Sequence, residues 1–225
     1  MFAVPTTYRT MQEIAYESIR EAILTGRYAP GQRLLPDDLA REHGTSRMPV
    51  REALQRLEVA GLVTITPHRG AIVNELSKND IVEIYHIRAV LEGLAARLAA
   101  PQLTPKHYDR LNVLIKEMAS AGSAGPDLDH VLRVNRDFHE IIWQAARAPR
   151  LHELLQNLYI ASQRFRNLSL QLPGRLSQIV AEHRRIANAL AAGDPAAAER
   201  FANEHHENTA KRLLVELEKT PGKGE

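Results

Sequence analysis

The stretch from residue 35 to residue 70 constrains the fold of this 225-residue chain more than any other. It begins with a short apolar-sided segment around Leu39, and Gly44 follows, which can adopt the left-handed backbone that ends a helix. Ser46 is a favourable N-cap for a second helix, and Pro49 is tolerated in the first turn of that helix. This order of signals predicts a helix-turn-helix.

The second helix of this motif carries two separate faces. Apolar residues recur at helical spacing and predict a core-facing stripe of Val50, Leu54 and Leu57. Another face carries two guanidinium groups and an amide, which suit the base edges and phosphates of a DNA major groove. We therefore predict a DNA-binding surface that consists of Ser46, Arg47, Arg51 and Gln55.

A β-hairpin is predicted after this helix, which Gly61 ends. Residues 63–66 and 71–73 are rich in β-forming side chains, and a turn joins the two runs. The turn would present a basic tip to a minor groove or to the DNA backbone. We include its residues in the predicted DNA-binding surface: His68, Arg69 and Gly70.

This region resembles the winged helix-turn-helix of GntR-family bacterial transcription regulators. The segments that carry the resemblance are GRYAPGQRL (26–34), SRMPVREALQRLEVAGLV (46–63) and PHRGAIV (67–73). The resemblance implies a double-stranded DNA operator as partner, and it assigns the family's DNA contacts to Arg47, Arg51, His68 and Gly70. The chain departs from the pattern at Asp37, where some members have a DNA-binding arginine.

Charge does not add an independent argument for DNA binding. The net charge is only +2, and the first 77 residues hold nine arginines, no lysine and nine acidic residues. The prediction therefore rests on where the arginines lie, and we expect a dimer to supply further affinity. The chain has no cysteine and no 18-residue apolar run, so we expect a cytoplasmic protein without a disulfide or a membrane span.

The predicted fold is mostly α-helical and has two domains. Residues 1–76 form a winged helix-turn-helix domain of three helices plus a hairpin wing. Residues 77–218 form an antiparallel bundle of about six helices, because every strong period in this part is helical. The polar residues 219–225 are expected to be a disordered tail.

Three helices of the predicted bundle each carry one histidine within an apolar, inward-facing stripe. A single buried histidine is usually a satisfied core residue, but three on three helices of one bundle are expected to converge. Such a cluster binds divalent metal ions such as Zn, Ni or Mn and leaves positions open for a ligand. The predicted metal ligands are His139, His183 and His205.

An arginine lies in the middle of the apolar stripe of the first bundle helix. A buried arginine requires an anion, and two partners are open for Arg88. One is a structural pair with Glu92, one turn further along the helix. The other is the carboxylate of a bound effector.

The second part of the chain resembles the ligand-binding domain of the FadR subfamily, known as the FCD type, and is closest to its VanR-like branch. The segments that carry the resemblance are residues 84–100, 135–146 and 182–194, followed by His205. The resemblance implies a divalent metal held by one aspartate and three histidines, and a small carboxylate or sugar acid as effector. Asn135 occupies the aspartate position and would offer only a neutral carbonyl oxygen.

These observations predict a homodimeric, effector-responsive transcription regulator, expected to be a repressor that binds a pseudo-palindromic operator. Two alternatives remain open. The three histidines could hold a hydrolytic metal, although no second motif supplies a general base or a phosphate-binding loop. Alternatively, the same architecture could bind its effector without a metal.

Overall fold

The computed structural model describes residues 10–67, 69–74, 77–121 and 127–219. The chain divides into two compact units between residues 76 and 77. The predicted tail falls mostly outside the described residues, although Lys219 itself ends the last helix.

The first described unit contains three helices and a three-stranded antiparallel sheet in the order β1-β3-β2. Its elements in chain order are α1 (Met11–Leu24), β1 (Arg33–Leu34), α2 (Pro36–Glu42), α3 (Arg47–Val59), β2 (Val63–Thr66) and β3 (Gly70–Val73). Sequence analysis predicted the β2–β3 hairpin. It did not predict β1, whose two residues pair with Ile72 and Ala71.

Local signals define the ends of the helices in this unit. Thr10 caps α1 through a capping box with Glu13, which satisfies amide groups that have no partner within the helix. The apolar faces of α1 and α3 then pack together, with Ile19 and Leu57 fully buried between the helices and the sheet. This packing leaves the opposite side of α3 exposed.

Gly70 is required where the hairpin turns back along β1. Its φ is +86°, a conformation that L side chains rarely adopt. A Cβ at this position would lie 2.5 Å from the backbone oxygen of Leu34. The tip of the hairpin is therefore held against β1 by a contact that only glycine permits.

The second unit is a bundle of seven helices within the described residues, one more than expected. They are α4 (Lys78–Ala99), α5 (Pro105–Ala121), α6 (Leu128–Ala145), α7 (Pro149–Ala161), α8 (Gln163–Gln171), α9 (Arg175–Ala191) and α10 (Pro195–Lys219). The predicted fourth helix is divided at Ser162, whose hydroxyl donates to the carbonyl oxygen of Leu158 at 2.8 Å. Such side-chain-to-backbone bonds compete with a regular helix.

The bundle encloses a polar centre within an apolar core. Gly93 allows α4 and α10 to approach closely, since a Cβ there would overlap the side chain of Asn203. Large apolar side chains such as Phe138 and Trp143 are fully buried on α6. Charged and imidazole groups on α4, α6, α9 and α10 are buried beside them. None of the described helices combines the length and apolar character needed to cross a membrane.

Candidate nucleic-acid interface and candidate metal centre

An open groove of about 730 Å³ lies between α3 and the hairpin. Five predicted DNA-binding residues line this groove: Arg47, Arg51, Gln55, Arg69 and Gly70. The side chains of the three arginines and of Gln55 are exposed. Arg47, Arg51 and Gln55 lie on α3, whereas Arg69 lies in the hairpin turn. The fold therefore brings guanidinium and amide donors together on one accessible surface.

The two remaining residues of the predicted DNA surface have different outcomes. Ser46 occupies the N-cap position of α3 and is exposed, but its side chain makes no capping hydrogen bond. Its hydroxyl is thus not engaged by the helix, contrary to the expected cap. His68 lies outside the described residues.

Arg47 forms an ion pair across the start of this groove with Asp37. Its Nη2 donates to Asp37 Oδ2 at 2.5 Å, and its Nε contacts Oδ1 of the same carboxylate. Asp37 is the second residue of α2, and Arg47 is the first residue of α3. The turn between the two helices thus places a carboxylate against the first arginine of the exposed helix face.

The second unit brings together the three histidines that sequence analysis proposed as metal ligands. One ring nitrogen from each of His139, His183 and His205 lies within 4.8 Å of the other two. His183 is fully buried, and neither of its ring nitrogens has a hydrogen-bond partner among the described residues. A buried imidazole without partners is costly, so a metal ion is the group that this cluster fits.

A carboxylate orients one of these imidazoles from outside the cluster. His205 Nδ1 lies 2.7 Å from Glu182 Oε2, which leaves Nε2 for a metal. Arg175 in turn donates to both oxygens of Glu182 at 3.0 Å. This carboxylate–histidine arrangement is the usual outer shell of a histidine-ligated metal.

A second carboxylate, Glu92 on α4, contacts the cluster from the other side. Its Oε2 accepts hydrogen bonds from Trp143 Nε1 at 2.8 Å and from His139 Nδ1 at 3.1 Å. Its Oε1 accepts from Arg88 at 2.7 Å. One ligand atom from each of Glu92, His139 and His206 also lies within 4.8 Å of the other two. Because both oxygens of Glu92 are already engaged, we interpret Glu92 as an orienting group rather than a ligand.

The electrostatics favour neutral imidazoles at His183 and His205. Burial lowers the pKa of His183 well below its usual value, and the neighbouring His205 and His139 lower it further. Burial also lowers the pKa of His205 to about 4, although Glu182 opposes the shift. Burial tends to raise the pKa of Glu182, but hydrogen bonds and charges from His205 and Arg175 outweigh it and lower the pKa to about 2. Neutral histidines present free lone pairs, which metal binding requires.

A cavity of about 20 Å³ lies beside the cluster, and His139 and His205 line it. Two further predicted residues lie at this cavity. Asn135 is buried on α6, one turn before His139, and both side chains line the cavity. Arg88 is also buried and lines it, but it pairs with Glu92 and donates to Ser162 Oγ at 3.1 Å. The structural partner considered in the sequence analysis is therefore present.

Comparison with known proteins identifies both units. Residues 11–73 match the family of bacterial regulatory proteins named gntR, and residues 83–208 match the FCD domain. A "Probable D-xylose utilization operon transcriptional repressor" of Paenarthrobacter nicotinovorans is 33% identical over 81% of this chain and 80% of its own. The chain belongs to the GntR family and carries an FCD domain.

Other GntR-family members match over nearly the whole chain. The HTH-type transcriptional regulator YdhC of Bacillus subtilis is 29% identical over 90% of this chain and 91% of its own. The solved structure of E. coli McbR/YncC superposes with a TM-score of 0.75 at 26% identity, covering 93% of this chain and 99% of that one. The matching families and relatives are transcription regulators, not enzymes, and this GntR protein is a DNA-binding transcription regulator.

Sequence analysis missed several groups that surround the histidines in this GntR protein. One of them is His206, which is buried next to His205 on α10. Its Nε2 lies 3.3 Å from Glu92 Oε1, too poorly aligned for a hydrogen bond. The other missed groups are Glu92, which was weighed only as a partner of Arg88, and Arg166, Arg175 and Glu182. The adjacent histidines at 205 and 206 were the available signal, since a wide helix face can bury both.

Proposed function

We propose that this protein is an effector-responsive GntR regulator that binds a pseudo-palindromic operator as a homodimer and represses transcription in the bacterial cytoplasm. A small organic acid would be the effector. Relatives named as repressors support the sign of regulation, and C2-symmetric dimers match palindromic sites.

The exposed face of α3 would enter the major groove of DNA. Arg47, Arg51 and Gln55 present donors and acceptors along this face, and recognition helices contact bases through such residues near their N-terminus. Ser46 would contact a phosphate with its unengaged hydroxyl. The hairpin tip, with His68, Arg69 and Gly70, would contact the minor groove or the backbone.

The three imidazoles of His139, His183 and His205 would hold a divalent metal such as Zn, Ni or Mn, with the Asn135 carbonyl as a weak further ligand. When bound, the metal would supply a Lewis-acidic site for the carboxylate of the effector. Glu182 and Glu92 would fix the ring orientations of His205 and His139.

The observation that carries the effector proposal is a buried arginine, Arg166, at the cavity beside the histidine cluster. Arg166 on α8 lines the same cavity and has no carboxylate within ion-pair distance among the described residues. Its Nη1 donates only to neutral oxygens, those of Tyr159 and Ser162, and its Nε has no partner in the described part of the chain. A buried guanidinium without an anion favours an anionic ligand. We therefore propose that the effector carries a second polar group, besides the carboxylate at the metal, and that this group binds Arg166. Arg88 is already paired with Glu92.

Binding would require the cavity to expand. It encloses about 20 Å³, which is room for roughly one water molecule. An organic acid would therefore stabilise a state in which the packing around α8 is looser. Because the organic acid would bind this looser state more tightly than the packed state, it would shift the protein toward the looser state and reduce operator binding.

The first test is the metal content of the untagged protein, purified without added metal or chelator. We expect about one equivalent per chain, lost in His183→Ala. Metal-loaded protein should then unfold at higher temperature with succinate or malate than with propionate, and the operator should be released. Absence of metal, with no thermal stabilisation by added zinc, nickel or manganese, would reject the metal site. Acid-dependent operator release under those conditions would instead support a metal-free regulator.

A further inference from the structure

The ion pair between Asp37 and Arg47 engages only one edge of the arginine. Asp37 contacts Nε and Nη2, so it occupies the side of the planar guanidinium. A guanidinium has five N–H donors, and this contact uses one from each of those two nitrogens. The remaining Nη2 hydrogen and both Nη1 hydrogens lie at the end of the side chain and have no partner among the residues that the structure describes.

The free end of Arg47 has the geometry that guanine recognition requires. Two parallel N–H donors from Nη1 and Nη2 match the O6 and N7 acceptors of guanine in the major groove. The side chain of Arg47 remains 72% exposed at the first position of α3. Asp37 therefore restrains the guanidinium without consuming the donors that would contact a base.

The carboxylate itself would make no favourable contact with the backbone of bound DNA. Phosphates repel Asp37, and its side chain is 52% exposed, so burial does not explain its placement either. An isolated surface ion pair contributes little to stability. The ion pair would therefore matter for DNA binding because it orients the guanidinium of Arg47.

We propose that Asp37 is a positioning residue for DNA specificity, which orients Arg47 for a bidentate contact with one guanine of the operator. The pair of residues, rather than Arg47 alone, then sets the preferred base at that position. This inference rests on the proposed contact of α3 with the major groove and is independent of the metal and the effector.

The chain offers a matched control on the same turn of α2. Asp38 is exposed and pairs with Arg41 instead, so Asp38→Asn removes the same charge without affecting Arg47. Asp37→Asn and Asp38→Asn should both raise affinity for unrelated duplexes, because each removes a negative charge near DNA.

The experiment selects a preferred duplex from a randomised pool with the full-length protein. Fluorescence anisotropy at fixed salt then compares that duplex with variants carrying each other base at every position. For Asp37→Asn, we expect the preference for guanine at one position to fall by about tenfold, within the range of a single bidentate contact. Asp38→Asn should retain the preference at all positions.

A second set of variants tests whether Asp37 acts through Arg47. Arg47→Ala should lose the same preference at the same position, and adding Asp37→Asn to it should change the base preference no further. The proposal is overturned if Asp37→Asn keeps every base preference of the wild type, or if it changes a position that Arg47→Ala leaves unaffected. Unchanged thermal unfolding of the variants ensures that specificity, and not folding, is measured.

Discussion

Glu182 accepts a hydrogen bond from His205 Nδ1 at 2.7 Å while Arg175 holds both of its oxygens. The carboxylate thus fixes the tautomer and the plane of an imidazole in the cluster. Asn208 Nδ2 also donates to Glu182 Oε1, at 3.1 Å. The proposed metal ligand His205 is therefore held by a network of Arg175 and Glu182 on α9 and Asn208 on α10.

Glu182→Gln should weaken zinc binding by about 10–100-fold, because the neutral amide no longer fixes and polarises His205. Competition with a chromogenic chelator at fixed pH measures the change. Glu140→Gln is the control, since Glu140 makes a similar contact with His152, which lies outside the cluster. Equal zinc affinity in Glu182→Gln and wild type would contradict the assigned role.

Asn135→Asp should strengthen zinc binding at least about tenfold, which corresponds to about 1.4 kcal/mol. The substitution replaces a neutral oxygen with an anionic ligand at the cavity wall. Isothermal titration calorimetry measures it, and Asp137→Asn on the exposed face of α6 should leave the affinity unchanged. No gain in Asn135→Asp would mean that residue 135 does not reach the metal.

Arg51→Ala should weaken operator binding by about 1–3 kcal/mol per half-site, because it removes a donor from the groove beside α3. Arg56→Ala is the matched control on the same helix, since its guanidinium lies 4.0 Å from the ring centroid of Tyr16 and does not line the groove. Anisotropy titrations at one salt concentration compare the two variants. Similar losses for both would indicate a general effect of charge and not a contact of Arg51.

Gly70→Ala should destabilise the first unit more than Gly44→Ala. Both glycines have positive φ, so either substitution costs about 1–2 kcal/mol in backbone conformation. Only at Gly70 would the new Cβ also approach a backbone oxygen, and such overpacking typically adds about 1–3 kcal/mol. Urea unfolding followed by circular dichroism gives the difference, and equal effects would contradict the close approach of the hairpin to β1.

Local sequence signals predicted the helix-turn-helix, the hairpin and the convergence of His139, His183 and His205. These depend on periodicity and capping, which act over a few residues. The break between α7 and α8 was not predicted, because no proline or glycine marks it in the sequence. The helix is interrupted there by the hydroxyl of Ser162, which competes for a backbone carbonyl oxygen. The strand β1 is only two residues long and forms because β3 offers a free edge.

The charged groups around the histidines were harder to predict. Arg166 donates to oxygens of Tyr159 and Ser162, where α7 meets α8, and Arg175 donates to Glu182 on its own helix and to Thr209 on α10. Periodicity alone does not reveal such partners and assigns these arginines to the surface. Arg88 was correctly placed within the core, with Glu92 as one of two partners considered. The sequence could not decide between Glu92 and an effector as the partner of Arg88. The structure shows that Glu92 binds Arg88 together with Trp143 and His139.

Trp143 is the single tryptophan of the chain, and its indole N–H donates to the carboxylate that also contacts His139. Its ring centroid lies 6.0 Å from that of His139. The protein thus contains a native fluorophore coupled to its own histidine cluster. Changes in tryptophan emission on adding nickel or an organic acid would report events at the histidine cluster without any label, because no other residue of the chain is a tryptophan.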